Sequence, residues 1–117
     1  MTIIERLKLE LNHKDYFEDA ELTVFLDENE LTSTELYKKS TMQRTLILTV
    51  IDVLEAVCND VDLMRTVADA TTGLTVNDAY NLMKARIQDL KTKVASIPVS
   101  GDATEFSNIQ VLFSARR

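Results

Sequence analysis

The chain holds few residues that break or bend a helix. Two glycines (Gly73 and Gly101) and one proline (Pro98) are its whole supply in 117 residues. So few interruptions favour an α-rich fold. Cysteine occurs once, as Cys58, which excludes an internal disulfide and suits a reducing, cytosolic compartment. Histidine also occurs once, as His13. A tetrahedral zinc site draws on several such ligands, and these two fall on different expected elements. His13 reads as a solvated loop residue. A Ser–His or Cys–His nucleophilic pair would have to use it, with no oxyanion motif nearby. Two isolated glycines cannot build a phosphate-cradling loop. No apolar run approaches the roughly 18 to 20 residues that span a bilayer. The longest, "LILTVIDVL", is interrupted by Thr49 and Asp52. The opening "MTIIERLKLELN" carries early glutamates and no cleavage pattern, so it is not read as a signal peptide.

The residues that are present describe one globular domain. A hydrophobic share of 45% against 27% charged residues is ordinary for such a domain, and 117 residues suffice to bury a core. Charge is uneven. Residues 1–70 hold 15 acidic and 7 basic side chains; residues 71–117 hold 4 acidic and 6 basic. An acidic first half argues against a nucleic-acid binder, which needs clustered Lys and Arg. The asymmetry suits head-to-side contact between copies.

Periodicity gives the elements. "TIIE" is a capping box on Thr2 and Glu5, and Ile3, Ile4, Leu7 and Leu11 then share a helical face. "NHKDYFE" reads as a loop. Asp19 is the expected cap of a second helix bearing Leu22, Phe25 and Leu26, with Val24 a further apolar position. The run "DENE" reads as a solvated face. In "LTSTELYKKS" a helical turn is expected over 35–39. Ser40 and Gln43 form another capping-box pair before the main core helix, expected over 41–59. There Leu46, Ile47, Val50, Leu54, Val57 and Cys58 recur at spacings of three and four, continuing to Val61, and Ile51 and Val53 widen the stripe. Such a helix is normally central in its bundle. Cys58 on this stripe reads as a core thiol. A short helix is expected over 61–67. Thr75 caps the last helix, with Asp78 in its first turn and a regular stripe of Val76, Ala79, Met83, Ile87, Leu90, Val94 and Ile97. This helix would run about 33 Å before Pro98 stops it.

The fold class is therefore all-α: a small bundle of four to five helices over 1–98, with a long C-terminal helix and an extended arm over 99–117. "VSGDATE" reads as a connector. "NIQVLFSARR" alternates with period two, placing Ile109, Val111 and Phe113 on one side. A strand needs a pairing partner. Either the arm stays with its own chain, frayed or paired, or it adds as a strand to a neighbour's sheet edge. The expected partner interface comprises Phe106, Ile109, Val111, Phe113, Arg116 and Arg117 of the arm, with Lys84, Arg86 and Lys91 of the last helix. The helix's basic residues suit an acidic protein neighbour better than nucleic acid, since no exposed stacking aromatics accompany them. Tyr80 is expected to pack. No catalytic, cofactor or metal residue stands out.

The order of these elements resembles the head–tail connector (adaptor) proteins of long-tailed bacteriophages and prophages. The residues that carry it are "IIERLKLELN", "FEDAELTVFLDENEL", "STMQRTLILTVIDVLEAVCND" and "NDAYNLMKARIQDLKTKV", followed by a C-terminal extension. The loop "LTSTELYKKS" is longer than in many such proteins, with Tyr37 its aromatic. The resemblance implies a non-enzymatic virion protein, without cofactor, at the head–tail junction and assembled in the bacterial cytoplasm. It implies a homo-oligomeric ring on the portal protein, offering a platform to tail-side proteins, with DNA passing through unbound and no membrane involved. Cyclic head-to-tail assembly needs two different surfaces per copy. The alternative left open is a small interaction or regulatory module of a bacterial mobile element.

Overall fold

The computed structural model describes residues 1–70 and 75–98; the arm over 99–117 and residues 71–74 lie outside them. Five helices follow one another: α1 (Ile3–Glu10), α2 (Asp19–Glu28), α3 (Lys39–Cys58), α4 (Val61–Ala70) and α5 (Val76–Ser96). The all-α expectation holds, with α5 long and C-terminal among the described elements.

Helix α3 is the hub, packing against each of the other four, while α5 packs on α3 and α4. Its breadth of apolar residues explains this. Leu46, Ile47, Val50, Ile51, Val53, Leu54 and Val57 are all buried, and no single partner could cover them. Even Thr49 is fully buried there, its hydroxyl donating to the Thr45 carbonyl at 2.9 Å. On α5 the stripe Ala79, Met83, Ile87, Leu90 and Val94 is buried as expected, with Ile97 partly covered. Val76, Val61 and Val24 are exposed instead, because each lies at a helix start or on an outer face. Cys58 is half-buried at the core's margin.

Helix α1 begins as its capping box dictates. The Glu5 N–H donates to Thr2 Oγ1 at 3.4 Å, and the Thr2 N–H donates to Glu5 Oε1 at 2.7 Å. The two preceding N–H groups, which no intrahelical carbonyl can reach, are met by the 31–37 segment. Ile3 donates to the Glu35 carbonyl at 2.8 Å and Ile4 to that of Ser33 at 3.1 Å. Tyr37 returns a bond to the Met1 carbonyl at 3.0 Å, and Thr2 pairs with Leu36 in an isolated antiparallel bridge. These bonds overturn the helical turn expected over 35–39: the chain is held extended there to supply acceptors to α1.

Three further starts and stops differ from expectation. Glu18, not Asp19, is the cap of α2, in a box with Glu21. Helix α3 starts two residues early, after Lys38, with no side-chain cap; Ser40 lies already inside its first turn. Helix α4 runs on to Ala70. The ends of α1 and α2 share one geometry. Asn12 donates to the Leu9 carbonyl and His13 to that of Lys8; Glu30 donates to Asp27 and Leu31 to Leu26. Both are Schellman closures, with Asn12 at φ 58 and Glu30 at φ 63 in the left-handed position that glycine usually fills.

Candidate interaction surfaces

The arm residues Phe106, Ile109, Val111, Phe113, Arg116 and Arg117 lie outside the described residues. The three helix residues of the expected interface lie on α5, but not on one face. Lys84 and Lys91, seven apart, share a flank; Arg86 lies across the buried stripe from them. Arg86 reaches α1, where its Nη2 donates to the Glu10 carbonyl at 3.0 Å and lies 3.4 Å from Glu10 Oε2. Lys91 pairs with Glu55 of α3 at 3.0 Å. Lys84 Nζ sits 5.8 Å from the centroid of the Tyr80 ring. Tyr80 is exposed rather than packed in the core, because it projects about 100° from Ala79, the stripe residue before it. Exposed pairs such as Lys91–Glu55 contribute little and can exchange partners at small cost.

The sequence pattern did not single out the cluster into which Arg86 enters. Arg6 Nη1 binds Glu10 Oε1 at 2.8 Å, and its guanidinium stands 5.5 Å from the centre of the Tyr37 ring. Glu10 thus receives one arginine from its own helix and one from α5. The Arg6–Glu10 spacing of four was visible in the sequence. The contribution of Arg86, 76 residues away, was not. Burial pushes the Tyr37 phenol above its ordinary value, with Arg6 opposing the shift. Burial does the same to Tyr16, opposed by Arg86. The Cys58 thiol is likewise raised by burial, opposed by Lys84. A raised pKa keeps that thiol protonated and a poor nucleophile at neutral pH.

The acidic residues gather elsewhere. Asp15, Glu18, Asp19 and Glu21 surround a shallow open depression with Tyr16 and Phe17 at the entry to α2. Phe17 and Phe25 contact each other beneath it, centroids 5.3 Å apart. The "DENE" run is exposed apart from Asn29, whose Nδ2 donates to Asp52 Oδ2 at 3.0 Å and ties α2 to α3. His13 is exposed in its loop. No group of three His, Cys, Asp or Glu side chains among the described residues is placed to hold a metal ion. No helix of the described residues is long and apolar enough to cross a membrane.

A second depression of about 540 Å³ lies where the first turns of α3 meet the end of α5. Comparison with known proteins adds nothing to these geometric findings: no protein-family model, curated protein or solved structure matches the chain.

Proposed function

We propose that the chain is a non-enzymatic assembly protein: a head–tail connector that forms a homo-oligomeric ring on a phage or prophage portal and links capsid to tail. The observation that carries this reading is the element order. Short α1 and α2, a central α3 and a long α5 follow one another as in the connector proteins that the sequence resembles, and α5 leads through Pro98 into the alternating arm. Charge supports it. Acidic side chains crowd the entry to α2, while Lys84, Lys91 and Lys93 are carried outward on α5, so each copy offers two unlike surfaces. In this reading the arm adds as a strand to the portal or to a neighbouring copy, with Ile109, Val111 and Phe113 entering pockets.

Deletion of residues 99–117 tests the reading. The truncated protein should keep its helical circular dichroism and lose binding to a portal protein from the same phage or prophage. Portal binding that survives the deletion rejects the arm's role. Light scattering with and without the portal separates the two functional classes. Ring-sized assemblies are expected of a connector. A monomer or dimer indifferent to the portal would instead indicate a small interaction or regulatory module of a mobile element.

A further inference from the structure

The segment that caps α1 is bonded on one side only. Thr2 and Leu36 face each other as a non-hydrogen-bonded pair. The bonds of their antiparallel bridge run from the Ile3 N–H to the Glu35 carbonyl and from the Tyr37 N–H to the Met1 carbonyl. That pattern turns the Leu36 N–H and C=O to the opposite side. Neither has a hydrogen-bond partner among the described residues, and Leu36 is 64% exposed. The next outward donor, the Lys38 N–H, finds only the Met42 sulfur at 3.4 Å, a weak acceptor. Lys38 continues the extended backbone, at φ -125 and ψ 110. Residues 36–38 thus form a short open strand edge that carries an exposed leucine. Another extended segment can add to such an edge through its backbone.

Charge selects the occupant. Along the edge, Glu35 comes before Leu36, and Lys38 and Lys39 come after it, all three exposed. A second copy laid antiparallel about Leu36 sets Glu35 of each chain toward the lysine end of the other. A parallel copy would set like charge against like. We propose that two copies of the chain pair antiparallel through this edge, about a twofold axis at Leu36. Each Leu36 N–H donates to the Leu36 carbonyl of the other copy, and the two leucine side chains meet on one face of the ribbon. The contact is isologous, so it closes at two chains. It draws on neither the acidic entry to α2 nor the basic residues of α5. So short an edge buries little surface, and the pairing is accordingly weak.

Amide exchange with water, followed by NMR on the full chain without portal protein, tests this. A dissociation constant of about 100 µM makes the Leu36 amide exchange about fourfold slower at about 1 mM chain than at about 10 µM. The Ile3 and Tyr37 amides, bonded within the chain, should exchange alike at both concentrations. Leu36→Lys puts a charge at the twofold while leaving those inward bonds in place. It should abolish the concentration dependence at residue 36 and leave the Ile3 and Tyr37 amides protected. Leu36 exchange in the natural chain that does not change with concentration overturns the proposal. Self-association that persists undiminished in the Leu36→Lys variant also overturns it, by placing the contact elsewhere. Glu35→Lys should weaken the pairing, and pairing that it strengthens rejects the antiparallel register. No portal is present in these measurements, so their outcome is independent of the connector reading.

Discussion

At the scale of single side chains, Glu10 draws one arginine from its own helix and one from α5. Its carboxylate meets Arg6 at 2.8 Å and Arg86 at 3.4 Å, and its carbonyl takes the stronger bond from Arg86 at 3.0 Å. Partial exposure of all three side chains tempers the gain, which for the Glu10→Ala exchange should be about 1 kcal/mol of stability in urea unfolding. Lys91→Ala, removing the exposed pair with Glu55, should stay within about 0.5 kcal/mol. Glu5 adds a pH signature. Its bonds from the Thr2 backbone and hydroxyl hold its carboxyl below the ordinary glutamate value. A depressed folded-state value means that stability is present above the unfolded value and is lost as pH falls through the folded one. The stability difference between the natural chain and Glu5→Gln should therefore shrink as pH drops below the usual glutamate range. A difference that is flat through that acid range contradicts the cap's charge dependence.

Two helix beginnings, unlike those of α2 and α3, were legible because they rest on side chains with fixed spacing: Thr2 with Glu5, and Thr75, whose Oγ1 accepts from the Asp78 N–H at 3.0 Å. Helix ends were less so. Without glycine at the left-handed positions, nothing in "ELNHK" or "ENELT" announces a Schellman closure. Nor could spacing reveal that the 31–37 segment caps α1 through backbone carbonyls, since any residue can supply those. The α3 stripe was legible for the opposite reason: seven buried aliphatic residues leave a periodic trace that no local bond can imitate. Glu30→Gly tests the hidden closure. Relieving the left-handed strain at φ 63 should stabilise the protein by about 1 kcal/mol, whereas the same change inside an ordinary helical turn would cost about as much. Thermal unfolding of the two variants, Glu30→Gly and Glu55→Gly, should shift in opposite directions.

Taken whole, the molecule is a slab. The described residues extend 48 × 33 × 18 Å, about two helix layers thick in the shortest direction. Four helices are arranged around α3, and every one of them keeps a face in solvent. The pairing of the residues expected at an interface was the least legible feature at this level. Periodicity placed Lys84, Arg86 and Lys91 on α5, but only the packing directed Arg86 to α1 and Lys91 to α3. Pairing across the fold depends on which surfaces meet, and residue spacing within one helix carries no record of that.

The Arg86–Glu10 contact also bears on the order in which the chain folds. Helices α1 and α5 do not otherwise pack on each other, and 76 residues separate the bonded pair. A bond across so long a loop is entropically dear until the helices between are already assembled. It should therefore close after the rate-limiting step. In stopped-flow kinetics Arg86→Ala, which removes both bonds to Glu10, should speed unfolding and leave refolding nearly unchanged. The arginine thus acts as a latch on the finished bundle, setting how long the native state lasts more than how fast it forms.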